Sequence, residues 1–251
     1  VEIGSNDGTL LKFFKDSGMQ VIGIDPAIEI AKTATNDGIE TLPLFFNKEL
    51  AKRIRNEKGP ASVIPANNVF AHVDDMKEFV EGIYELLSED GIFIFEVSYL
   101  LDMYNKTLFD MTYHEHLAYH SVTPLESFFK KHGLELIEAI RVETHGGSLR
   151  GIVQRLGGSY KVGQSVSELI RLESRLGLHN PETLKQFSKK IDALGSQLHK
   201  LIQGLKMNGK TIIGFGAPAK ATTLMYHFGL GGECLDYIID DSPLKQGLFS
   251  P

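Results

Sequence analysis

Over the first 100 residues, short apolar runs alternate with segments of helical period, and this alternation restricts the fold more than any other feature of the chain. The apolar runs are VEIG, QVIGIDP, IETLPLFF, ASVIPANNV and GIFIFEVSYL. Between them lie four helical segments: one after SNDG that stops at Gly18, one from about Ile28, one from Lys48 to Arg55, and one through DDMKEFVEGIYELL. Strands joined through helical crossovers run parallel, so the expected fold class is α/β with a doubly wound sheet. Pro65 has no N–H to donate and is expected to end the fourth strand early. VEIG has the character of a strand's tail, which predicts that the first strand is truncated in this chain.

Beyond residue 120, TPLESFFKKHG predicts a helix, and LELIEAIRVETHGGSLRGIVQRLG predicts two strands around a turn at Gly146 and Gly147. Residues 158 to 208 are helical in pattern. Ser165 and Glu168 have capping-box spacing, while Asn180 followed by Pro181 signals a strong helix start. Leu184, Phe187, Ile191, Leu194, Leu198, Leu201 and Leu205 then recur at steps of three and four. Such a seam suits a helix packed on its own domain or a coiled coil, so a monomer and a homodimer are both compatible with it. From Gly209, KTIIGFGAPAKATTLMYHFGLGGECLDYIIDD repeats the strand, glycine loop, helix and strand pattern. The expected domains are therefore residues 1–157, a helical connection over 158–208, and from 209 to 251 the start of a second Rossmann-like α/β domain.

A formal charge of −6 offers no attraction to nucleic acid or to an anionic membrane. No apolar run approaches the roughly 20 residues needed to span a bilayer. A single cysteine, Cys234, rules out an intramolecular disulfide and any cysteine zinc site built from this chain alone, and a cytoplasmic setting is expected.

In EIGSNDGTLL, Gly4 and Gly8 lie between a strand and a helix, where glycine lets a ligand approach the backbone. Asp25 ends the next strand, at the distance from which a carboxylate accepts the hydroxyls of a ribose. The glycines alone would suit a plain tight turn, whereas the three residues together point to an adenosine ligand. The spacing G-S-N-D-G lacks the pyrophosphate fingerprint of a dinucleotide site. Glu2 and Asp7 would repel a pyrophosphate but tolerate an amino acid zwitterion beside a sulfonium. The expected cofactor is S-adenosyl-L-methionine, held by Glu2, Gly4, Ser5, Asn6, Gly8 and Asp25. Asn67 and Asn68 suit either the pocket wall or a chain turn. Phe45 and Phe46 suit either an adenine flank or the core, with Phe46 the candidate contact.

The stretch MTYHEHLAYH gathers Tyr113, His114, Glu115 and His116 in four consecutive positions. It fits a metal site, a proton-transfer site or a solvated loop. A metal is not expected, because the histidine pair lacks a third ligand at metalloenzyme spacing. His72, in NNVFAH, stands near a helix start and suits a capping or packing role as well as a functional one.

With EIGSNDGTLL, ANNVFAHVDD, YHEH, THGGSLR and GFGAPAKATTL in that order, the chain resembles the sugar C-methyltransferase family along nearly its whole length. The known members of that family methylate C3 of a nucleotide-linked 4-keto deoxysugar, using S-adenosyl-L-methionine. The resemblance implies zinc only in an N-terminal cysteine domain, which is absent from this sequence, and a C-terminal Rossmann-like domain that helps hold the nucleotide-sugar. It also carries catalytic roles onto Tyr113, Glu115, His116 and His72. A carbon acid needs a base whose pKa lies near the working pH and donors for the enolate oxygen. His116 is the expected base, Glu115 its orienting partner or a sugar-hydroxyl anchor, and Tyr113 with His72 the groups that polarise the ketone. His114 is expected to be solvated. Ser148 and Arg150 suit a substrate phosphate or a plain hairpin. Gly214 and Gly216 with Lys220 form a reasonable anion seat at a helix start. The expected partner is a small nucleotide-sugar. The alternatives are an O- or N-methyltransferase of the same fold and a non-catalytic nucleotide-sugar-binding module.

Overall fold

The structure, a computed structural model, describes residues 1–249. Strand and helix alternate at first: β1 (Glu2–Ile3), α1 (Thr9–Asp16), β2 (Gly23–Ile24), α2 (Ile28–Asn36), β3 (Thr41–Leu42) and α3 (Lys48–Lys58). Next come β4 (Ala61–Asn67), α4 (Met76–Leu86), β5 (Leu87–Ser98), α5 (Leu100–Lys106) and α6 (Val122–Lys131). A hairpin of β6 (Leu134–Val142) and β7 (Ser148–Arg155) precedes α7 (Gln164–Leu176) and α8 (Pro181–Met207). The chain continues through β8 (Ile213–Phe215), α9 (Ala219–Phe228) and β9 (Tyr237–Ile239). Among the described residues no helix is long and apolar enough to cross a membrane.

Two compact units emerge, and their division differs from the expected boundaries at 157 and 208. The first comprises Val1–Leu101 and Leu117–Leu176; the second comprises Asp102–His116 and the chain from Gly177 onward. Side-chain packing explains both differences. Glu173 of α7 is buried in the first unit, where its carboxylate accepts from Tyr99 Oη (2.7 Å), Val122 N (2.6 Å) and Thr123 N (2.9 Å). Phe109, in the segment after α5, packs its ring 4.8 Å from that of Phe228 in the second unit.

In the first unit, β1, β2 and β3 form a parallel ladder with Ile3, Ile24 and Leu42 in register. β4 and β5 are parallel, as crossover through α4 requires, while β7 is antiparallel to both β5 and β6. The two ladders meet at β1 and β4, where Val1 N donates to Val63 O at 2.9 Å. The doubly wound expectation therefore holds through β5, and the hairpin makes the sheet mixed. β4 does not stop early: Pro65 pairs with Ile94, and the strand runs on to Asn67. The backbone polar groups of Val63 and Pro65 face the β1 side, where no ladder forms against β4, so the missing N–H breaks no sheet bond. Beneath the sheet, the rings of Phe70, Phe79, Phe93, Phe95 and Phe129 form one aromatic core, with His120 stacked 5.0 Å from Phe70.

Ser165 does not cap α7, which already begins at Gln164; its hydroxyl accepts from Ala139 N instead. Asn180 does cap α8, accepting from Glu182 N at 3.0 Å with Pro181 in the first turn. Only part of the α8 seam packs within its own unit: Phe187, Ile191 and Leu198 cover a cluster of Phe109, Ile202, Phe228, Leu230 and Cys234, while Leu184, Leu194, Leu201 and Leu205 are exposed. β8 and β9 pair in parallel on either side of α9, the expected second βαβ pattern.

Candidate functional site

The loop between β1 and α1 is shaped by backbone conformations that favour glycine and asparagine. Gly4 (φ 70°), Asn6 (φ 50°) and Gly8 (φ 76°) all lie in the left-handed region. At Gly4 packing adds a second constraint, since a Cβ there would stand 2.3 Å from Val69 Cγ2. Asp25 ties this loop to the one after β2: Oδ2 accepts from Asn6 N at 2.8 Å and Oδ1 from Ala27 N at 2.9 Å. Each carboxylate oxygen keeps lone-pair capacity for a hydroxyl ligand.

Two buried polar atoms here, Glu2 Oε2 at the start of β1 and Ser5 Oγ in the loop, have no hydrogen-bond partner among the described residues. Burial pushes the Glu2 carboxyl up to about 7, opposed by the nearby N-terminal charge and reinforced by Asp7 and Asp25. A buried carboxylate short of donors suits a cationic or multiply donating ligand. The residues present therefore fit S-adenosyl-L-methionine: Asp25 would accept ribose hydroxyls, and Glu2 and Ser5 would meet polar groups of the ligand. Phe46 is half-buried. Its ring packs edge-on against Phe79 at 5.3 Å and over Gly82, so its contacts are with α4, and Phe45 is the exposed ring of the pair.

Along the same sheet edge, Asn67 ends β4, and Asn68 turns the chain at φ 55° while its N–H donates to Glu96 O. His72 closes a short 3-10 turn over Phe70–His72 and is half-buried. Ala71 O accepts from both Leu117 N (2.9 Å) and Ala118 N (3.2 Å). Ser148 is fully buried and donates its hydroxyl to Thr144 O, which makes it a hairpin residue with no surface for a phosphate. Arg150 donates through Nε (3.1 Å) and Nη2 (2.8 Å) to Glu96 Oε2, and Thr144 Oγ1 reaches Glu96 Oε1 at 2.5 Å. The sequence reading missed Glu96. Its signal is a lone carboxylate in the apolar run GIFIFEVSYL, a buried charge that requires a partner.

In the second unit the rings of Tyr113 and His116 pack at 4.7 Å, and His116 N donates to Tyr113 O across the turn. His114 is exposed, as expected, and its Nε2 lies 3.9 Å from Glu115 Oε1. Glu115 is itself exposed.

The glycine loop before α9 repeats the arrangement at Asp25. Asp240 Oδ2 accepts from Ala217 N at 2.8 Å and Oδ1 from Ser242 N at 2.9 Å, and these bonds hold its carboxyl below the usual range. Gly216, at φ 86°, donates its N–H to Ile239 O. Two N–H groups of the expected anion seat, those of Gly216 and Ala217, are thus engaged within the protein, and a carboxylate stands at this loop. Lys220 Nζ stands 3.9 Å from Asp110 Oδ2. Asp240 was also missed, although DD after the apolar YII repeats the Asp25 signal.

Residues 1–139 match the family model of a methyltransferase domain, and residues 143–251 match that of a C-methyltransferase C-terminal domain. C-methyltransferase NovU of Streptomyces niveus is 34% identical over all 251 residues, and the chain spans 60% of that protein's length. Among solved structures, a SAM-dependent methyltransferase from Anabaena variabilis aligns at 17% identity over 61% of this chain and 75% of its own, with a TM-score of 0.48. Magnesium protoporphyrin IX methyltransferase from Synechocystis with bound SAH aligns at 15% identity over 61% and 72%, with a TM-score of 0.46. Structural likeness at this level adds nothing to the sequence matches. The cofactor of such a methyltransferase domain is S-adenosyl-L-methionine. The chain belongs to the methyltransferase-domain family, and its C-terminal part matches the C-methyltransferase model.

Proposed function

We propose that the protein transfers a methyl group to the carbon beside the ketone of a nucleotide-linked 4-keto deoxysugar, with His116 as the base. S-adenosyl-L-methionine supplies an electrophilic methyl group on a sulfonium. His116 takes the proton from the sugar carbon, and the electron pair of the broken C–H bond moves onto the ketone oxygen as an enolate. Tyr113 and His72 donate toward that oxygen, which lowers the barrier to its charge. The enolate carbon would then take the methyl group as the methyl–sulfur bond breaks, with the neutral thioether S-adenosylhomocysteine as the leaving group. Glu115 holds a sugar hydroxyl.

The observation that carries this reading is the pair of family matches, which join a methyltransferase domain to a C-methyltransferase C-terminal domain in one chain. The packing of the Tyr113 ring on His116 supports it. Glu115, Ser5, Asn67 and Lys220 keep their proposed binding roles.

The test is exchange of the sugar C–H with deuterium in heavy water, followed by NMR on the full-length protein. His116→Asn is expected to slow exchange by about 10²- to 10⁴-fold while S-adenosyl-L-methionine affinity stays unchanged. Exchange at the wild-type rate would remove His116 from the role of base.

A further inference from the structure

The turn that joins β6 to β7 is braced far more heavily than a hairpin connection needs. Thr144 bonds Glu96 through its hydroxyl, and its carbonyl accepts from Gly147 N (2.9 Å) and Ser148 Oγ (3.0 Å). Gly147 O in turn accepts from Tyr99 N at 3.2 Å. Glu96 is 5% exposed, and its other oxygen is gripped by Arg150. At the apex of the braced turn sits His145, at φ 51° and ψ 30°.

Two glycines follow at once, so a residue that takes the left-handed conformation without strain is available to this turn. An imidazole there costs about 1–2 kcal/mol. Nothing within the fold offsets that cost. His145 is exposed, and it has no hydrogen bond, ion pair or ring contact among the described residues. A strained, unpartnered side chain on a rigid support has its use outside the fold.

Its position indicates what that use is. The cofactor loop lies against the end of β4, because Gly4 is in van der Waals reach of Val69. Asn67 at that end pairs with Glu96 of β5, and Glu96 pairs with Arg150 of β7. A continuous row therefore leads from the cofactor loop through Asn67 and Glu96 to the braced turn. Two strand spacings, about 10 Å, separate β4 from β7. An acceptor whose reacting carbon lies over β4 reaches the turn only if it extends well beyond one sugar ring. The donors waiting at the far end are the His145 imidazole and the half-exposed Arg150 guanidinium, whose Nη1 is not used on Glu96. Both suit an anion.

We propose that His145 is a substrate-binding residue, held by the Glu96–Thr144 brace so that its ring donates to the diphosphate of a nucleotide-linked acceptor. This rests on the nucleotide-sugar reading above and adds to it a specific recognition point. Glu96 and Thr144 act through the turn and are positioning residues.

The experiment is calorimetry of the full-length protein with UDP, TDP, GDP and CDP, with S-adenosyl-L-methionine titrated in parallel. His145→Asn and His145→Gly both tolerate the left-handed conformation and remove the imidazole. Each is expected to weaken the preferred nucleoside diphosphate by about 10- to 100-fold, with cofactor affinity and Tm unchanged or, for glycine, Tm raised. Thr144→Val keeps the ring but cuts the brace, and is expected to produce a smaller loss of the same ligand only. If the wild type binds a nucleoside diphosphate and both His145 variants bind it equally well, the inference is overturned while the nucleotide-sugar reading stands. If the wild type binds none of the four, the nucleotide-linked acceptor itself is refuted, and this inference with it.

Discussion

Gly4→Ala probes the cofactor loop at the point where backbone strain and packing coincide. A left-handed φ of 70° costs a non-glycine residue about 1–2 kcal/mol. The added Cβ would also stand 2.3 Å from Val69 Cγ2, and overpacking of this kind costs about 1–3 kcal/mol. The sum, about 2–5 kcal/mol, is divided between unfolding and displacement of the loop. If displacement takes most of it, S-adenosyl-L-methionine binding weakens by about 30- to 4,000-fold. Two further variants separate the parts. Gly18→Ala has the strain alone, with φ 83° and nothing within 4 Å, and should lose only about 1–2 kcal/mol of stability with no effect on the cofactor. Val69→Ala removes Cγ2 and leaves Val69 Cβ at an ordinary 3.7 Å, so Gly4→Ala should be milder in that background by about 1 kcal/mol or more. Calorimetry with the cofactor and urea unfolding measure the cycle. A Gly4→Ala protein that binds and unfolds like wild type would refute the steric reasoning, as would a double variant no better than the single one.

Glu173→Gln keeps the side chain's shape but turns one oxygen into a donor facing the N–H groups of Val122 and Thr123. Losing a charged acceptor at a buried helix start should cost about 2–4 kcal/mol in urea unfolding, and a loss under about 0.5 kcal/mol would sink the capping role. For Glu2, the folded pKa of about 7 lies above the ordinary 4.5, so its contribution to stability is fully present below about pH 4.5 and is lost as pH rises through about 7. Glu2→Gln should flatten that decline in a series of melts from pH 4 to 8, and an unchanged profile would exclude the assignment. On α8, Gly204→Ala has open space and should stabilise by about 1 kcal/mol. Gly195→Ala should destabilise instead, because its Cβ would meet Phe228 Cδ1 at 2.6 Å; a stabilised Gly195→Ala protein would contradict this packing.

Much of the first unit was legible because its signals are local. The glycine loop, the Asp25 strand end, the alternation of strands and helices, and the Asn180 cap each depend on residues a few positions apart. Backbone sterics, periodicity and short-range hydrogen bonding act at that range. Pro65 shows where this fails, since whether a missing N–H matters depends on which neighbouring strand it would have faced.

Tertiary structure decided the rest, for one physical reason: a buried polar group finds its partner through packing and register, which no local pattern encodes. Glu173 bonds residues about 50 positions away, and Glu96 grips Arg150 at a separation of 54. That register gave Arg150 an ion-pair partner in Glu96, and it buried Ser148. It gave Phe46 to α4 and braced a strained histidine at the rim of the sheet. The chain's pattern determined that a glycine loop tied to Asp25 would form after the first strand; only the folded sheet decided which side chains stand beside it.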